Sequence, residues 1–93
     1  MAVSVSIPTI LRTYTDGEKR VDVDTVSGAT LADLIKDLDT NHPGLGDRLL
    51  QDGELRRFVN VYLNDEDVRF IGGLATPLAD GDAVTVLPAV AGG

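Results

Sequence analysis

Apolar and polar residues alternate with a period of two over residues 3–7, Val-Ser-Val-Ser-Ile, the mark of a strand with one buried face. Pro8 cannot donate to a ladder and ends it. A second strand is predicted from Lys19 to Asp24, with Val21 and Val23 on one face, and Asp16-Gly17 between the two strands is a favoured turn pair. The connection is too long for a tight hairpin. From Thr30 the period changes to 3.6. Leu31, Leu34, Ile35 and Leu38 fall on one helical stripe, with Thr30 at the N-cap position and Asp33 three residues later. Asp37 and Asp39 lie off the stripe and face water. Pro43, Gly44 and Gly46 stop the helix near His42, whose cationic form suits the negative helix end, and Gly46 to Leu50 can form one further short turn.

Alternation returns from Arg56 to Asn64. Val59, Val61 and Leu63 take the core face, and Phe58, Asn60 and Tyr62 the other. Asn64 to Asp67 is a polar turn, and Val68 to Ile71 is predicted as a short strand. Gly72-Gly73 and Pro77 mark a loop, and Asp80-Gly81-Asp82 is a turn. Ala83 to Leu87 is the last strand, with Val84 and Val86 inward and Leu87 outward, and Pro88 ends it. The order is strand, strand, helix, strand, short strand, strand. It predicts a two-layer α+β domain, a mixed sheet of four to five strands on one main helix, over residues 1–88. The first and last strands sit centrally over the helix. Residues 89–93 remain as a flexible tail, Ala89-Val90-Ala91-Gly92-Gly93. There is no internal repeat or domain linker.

Composition narrows the function. The chain has 93 residues, 43% of them hydrophobic, which suits a single core; with two Phe, two Tyr and no Trp, that core must be mostly Val, Leu and Ile. A net charge of -7 disfavours nucleic acid and anionic membrane as partners and suggests a partner with a basic docking face. With no cysteine, thiol catalysis and thiolate metal sites are excluded, and His42 alone cannot supply a histidine triad and a metal cluster. The acids Asp65-Glu66-Asp67 read as a solvated turn, not a metal site. The N-terminus lacks a secretory pattern, and no run approaches the ~18 apolar residues of a membrane span. A soluble, cytoplasmic protein is expected.

The tail carries the candidate chemistry. Five extended residues reach about 17 Å beyond the domain. Four of the five are Gly or Ala, so the tail is slim enough for a narrow channel. Its α-carboxyl is ionised at neutral pH. Such a carboxylate can attack the α-phosphate of ATP, and a sulfur donor can then displace AMP to leave a thiocarboxylate. Phe58, Tyr62 and Leu87 form a candidate apolar patch on the outer sheet face, a partner-binding surface that continues through Pro88, Ala89, Val90 and Ala91 into Gly92 and Gly93.

Three stretches carry a resemblance: Thr30-Leu31-Ala32-Asp33-Leu34, Leu78-Ala79-Asp80-Gly81-Asp82-Ala83-Val84, and the ending Pro88 to Gly93. In these the chain resembles the ThiS/MoaD-like sulfur carriers, relatives of ubiquitin with the β-grasp fold. Residues 5–12 and 57–70 resemble the CysO-type carriers of actinobacterial cysteine biosynthesis. The resemblance implies a protein co-substrate, not an enzyme, whose Gly93 is adenylated by an ATP-dependent, ubiquitin-activating-type enzyme that exchanges AMP for sulfur. A pyridoxal-phosphate cysteine synthase working on O-phosphoserine would accept that sulfur, and a zinc metallopeptidase would release cysteine. It implies that ATP, pyridoxal phosphate and zinc belong to those partners and that this chain binds no cofactor or metal. The alternatives are a small subunit of molybdopterin synthase, a ubiquitin-like modifier attached to lysines, and a plain interaction domain.

Overall fold

The computed structural model describes residues 1–57 and 59–88. Its strands and helices are β1 (Ala2–Ser6), β2 (Arg20–Asp24), α1 (Leu31–Asn41), α2 (Leu45–Leu49), β3 (Leu50–Gln51), β4 (Glu54–Leu55), β5 (Val59–Leu63), β6 (Glu66–Asp67) and β7 (Ala83–Pro88). The main sheet has the order β2-β1-β7-β5-β6, and β3 and β4 form a separate two-stranded ribbon. β1 and β7 run parallel at the centre, flanked by antiparallel partners on both sides. This is the expected α+β, β-grasp arrangement, with the first and last strands adjacent.

The period-two pattern explains the register. Val3 faces Val23, Val5 faces both Val21 and Val84, and Val61 faces Val86, so one apolar layer crosses four strands. The stripe of α1 closes over it, and Leu31, Leu34, Ile35 and Leu38 are buried together with those valines. Leu45 and Leu49 of α2 extend the same core. His42 is the C-cap residue of α1, as expected.

α1 begins with reciprocal capping. The Thr30 backbone N–H donates to the Asp33 carboxylate at 2.9 Å and the Thr30 hydroxyl donates to the same oxygen at 3.2 Å. These bonds, the backbone one foremost, hold the Asp33 carboxyl below the ordinary carboxylate range. A depressed folded-state pKa stabilises the fold above the unfolded carboxyl's value of about 3.9, and that contribution fades as the pH falls through the lower folded value. Stability measured by urea unfolding between pH 5 and 2 should therefore fall more steeply in the wild type than in Asp33→Asn. Identical slopes would show that the cap does not couple to protonation.

Several local features depart from the sequence expectation. Residues Thr9–Thr15 form a 3₁₀ helix, closed by Asp16 in the left-handed region at φ 54°, where a plain loop was expected. Val68 to Ile71 is not a strand: Glu66–Asp67 pairs with β5, and Val68–Phe70 turns into a 3₁₀ helix. The Asp67 side chain causes the switch by accepting the Arg69 backbone N–H at 2.9 Å, a local bond that competes with the ladder. β5 starts at Val59, not Arg56.

The short helix α2 is set against α1 by Asp39, whose carboxylate accepts the backbone N–H groups of Gly44 at 3.1 Å and Gly46 at 2.9 Å. Gly46 has to lack a side chain, since a Cβ there would meet the Asp39 Cβ at 2.9 Å. This holds α2 beside the 3₁₀ helix Thr9–Thr15, and both border the end of the sheet at Leu87 and Pro88.

Candidate functional site

β7 ends at Pro88, which is paired with Val59 at the last rung of the ladder and is exposed. The direction of β7 therefore determines where residues 89–93 begin. That strand is fixed at its start by the turn Ala79–Asp82. The Asp82 carboxylate accepts the Ala79 N–H at 2.8 Å and the Asn64 side-chain amide at 3.0 Å, while Asn64 in turn accepts the Ala83 N–H at 3.0 Å. The Asp80 carboxylate accepts the Ala2 N–H at 2.8 Å, and the Gly81 N–H donates to the Ala2 carbonyl at 2.8 Å. Asp80 and Asp82 thus fasten β7 between β1 and β5. Their role is positional: they aim the strand from the far end.

The outer sheet face is only partly the patch that alternation predicts. Leu87 is opposite Asn60, and Tyr62 is opposite Thr85, so Leu87 and Tyr62 lie on the same face. Leu87 is 46% exposed and Tyr62 is half-buried. Their neighbours on that face, Ser4, Ser6, Asn60 and Thr85, are polar. Phe58, Ala89, Val90, Ala91, Gly92 and Gly93 lie outside the described residues.

Two features of this end were not legible in the sequence. The first is a groove of about 410 Å³ beside the root of the tail. Ile10 and Leu11 of the 3₁₀ helix, Leu87 and Pro88 of β7, and the side chains of Arg48 and Arg56 line it. Arg48 donates through Nε to the Tyr14 hydroxyl at 2.7 Å, with its guanidinium carbon 5.8 Å from the Tyr14 ring centroid. Arg56 donates through Nε to the Asp47 carbonyl at 2.7 Å. The second feature is Arg69, whose guanidinium donates to the Asn60 side chain at 2.7 Å and to the carbonyls of Arg56 and Val59. It occupies the edge of β5 that β6 is too short to cover.

Among the described residues, no group of three or more His, Cys, Asp or Glu side chains is arranged to hold a metal ion. No helix among them is long and apolar enough to cross a membrane.

A model of the ThiS family matches residues 5–93. The chain is 59% identical to the sulfur carrier protein CysO of Mycobacterium tuberculosis, with 100% of both chains covered. It is 47% identical to the small archaeal modifier protein 3 of Haloferax volcanii over 80% of this chain and 76% of that protein. Among solved structures, it superposes with a TM-score of 0.89 on a chain of the Amycolatopsis orientalis BexX/CysO complex, at 56% identity, covering 98% of this chain and 99% of that one.

Proposed function

Since the chain belongs to the ThiS family, we propose that it is a sulfur carrier, a protein substrate of other enzymes, bearing sulfur as a C-terminal thiocarboxylate on Gly93. The observation that carries this reading is the placement of the last strand. β7 is central and fastened at its start, and it ends at an exposed proline that three residues separate from Gly92-Gly93. The rigid domain gives the slim ending a fixed origin, and glycine at the last two positions lets the backbone enter a confined active site.

The chemistry follows from the α-carboxylate. Attack of a carboxylate oxygen on the α-phosphate of ATP forms the acyl adenylate and expels pyrophosphate. A sulfide-equivalent nucleophile then adds to the acyl carbon, and AMP leaves with the acyl C–O bond broken. A thiocarboxylate remains, ionised and nucleophilic through sulfur. In the cysteine reading, that sulfur forms a C–S bond to an acceptor derived from O-phosphoserine in a pyridoxal-phosphate synthase. An S-to-N acyl shift then links cysteine to Gly93 by an amide. Hydrolysis by a zinc metallopeptidase frees cysteine and restores the carboxylate. The relative named a sulfur carrier protein supports the reading over the full length.

Intact mass spectrometry tests the first stage. Incubation with an adenylating enzyme, ATP and a sulfur source should replace one oxygen of the chain by sulfur, with the change confined to the C-terminal peptide. An unchanged mass alongside AMP production would remove the sulfur step. A second reading, attachment to lysines as a protein modifier, draws on the 47% identity to a small archaeal modifier protein. It predicts isopeptide-linked conjugates of Gly93 in cell extract, which a pure sulfur carrier does not form.

A further inference from the structure

We propose that the groove at the root of the tail is a second docking point, taking an apolar side chain flanked by carboxylates on the adenylating enzyme that receives Gly93. The proposal rests on the sulfur-carrier reading and adds the chemistry of the partner surface. Three observations lead to it.

The groove is continuous with the tail. Leu87 and Pro88 line it and are also the last described residues before Ala89. A partner that swallows the five-residue ending has to bring its own surface up to this groove, because the ending is only about 17 Å long when extended.

Its lining is apolar at the base and cationic at the wall. Ile10 is 68% exposed there, beside Leu11, Leu87 and Pro88. The hydrogen bonds of Arg48 and Arg56 go to neutral oxygens, those of the Tyr14 hydroxyl, the Asp47 backbone carbonyl and the Gln51 side chain, and the Asp47 charge acts on Arg48 without lining the groove. Asp47, Asp52 and Glu54 lie in the same stretch of chain but do not line the groove.

Several acids lie at the opposite end of the sheet. Asp24 pairs with Ala2, Asp80 and Asp82 hold the start of β7, and Asp65 and Glu66 turn β5 into β6. At the tail end, Arg20 pairs with Ser6, and Arg56 and Arg57 precede Val59, the partner of Pro88. Net charge alone points to a basic partner, but beside Pro88 the groove arginines Arg48 and Arg56 make carboxylates the local complement.

ATP–pyrophosphate exchange by an adenylating enzyme that accepts the wild-type chain tests the groove. Ile10→Asp places an anion in it without touching the core, since Ile10 is exposed. Arg48→Gln/Arg56→Gln removes both charges, and circular dichroism and the melting temperature of each variant report on folding. At low salt, both variants should raise KM roughly tenfold with kcat unchanged, and the rise of KM with salt expected of the wild type should flatten in the double variant. Unchanged KM in the folded Ile10→Asp variant, or an unchanged salt slope in the double variant, overturns the groove proposal alone. Exchange that persists after deletion of Gly93 would instead overturn the carrier reading beneath it.

Discussion

Deleting Gly93 is expected to abolish sulfur loading while leaving the melting temperature within error of the wild type. The loss should be complete, because the deletion removes the proposed reacting carboxylate and shortens the ending by one residue. Gly92 would then present a carboxylate about 3.5 Å short of the site. At the interatomic distances that reaction requires, such a displacement leaves no productive alignment with the α-phosphate of ATP. Stability should not change, because among the described residues the buried core lies between Val3 and Val86. Mass spectrometry after adenylation in the presence of a sulfur donor is the direct readout. A truncated chain that still gained sulfur would place the reactive group elsewhere.

The converse result is expected for Leu34→Ala. Leu34 has 0% of its surface exposed and lies in the middle of the α1 stripe, against the valine layer of the sheet. Truncating a buried leucine removes its transfer free energy and leaves a cavity, together about 2–5 kcal/mol. In a domain of this size each kcal/mol shifts the melting temperature by roughly 4–8 °C, so a fall on the order of 10–30 °C is expected in thermal unfolding. Sulfur loading of the fraction that remains folded should be unaffected. A loss below about 1 kcal/mol would show that α1 does not hold the sheet in the way its burial implies.

What could be read from the sequence was whatever long periodicity encodes. Val3, Val5, Val21, Val23, Val84 and Val86 alternate with polar neighbours, and the leucines of α1 repeat at helical spacing, so strands, helix and their buried faces follow directly. Short local bonds were less accessible. Val68 to Ile71 has strand-like residues, but one hydrogen bond to the Asp67 side chain bends them into a 3₁₀ turn. The β3–β4 ribbon went unread although its turn, Asp52-Gly53, carries a strong hairpin signal with φ of 53° and 79°. The groove at the tail root was beyond pattern reasoning. Ile10, Arg48, Arg56 and Leu87 come from four separate segments, and only the folded chain brings them together. Gly92 and Gly93, singled out because they follow the last strand of a helix-on-sheet domain, lie outside the described residues.

The parallel pairing of Val5 with Val84 has a consequence for biosynthesis. The strand made first cannot find its central neighbour until the strand made last has left the ribosome, and contacts of such sequence separation are slow to close. A product terminated before Ala83 lacks β7 and with it the middle of the sheet, so no ladder joins β2-β1 to β5-β6. Folding thereby reports that synthesis has passed β7.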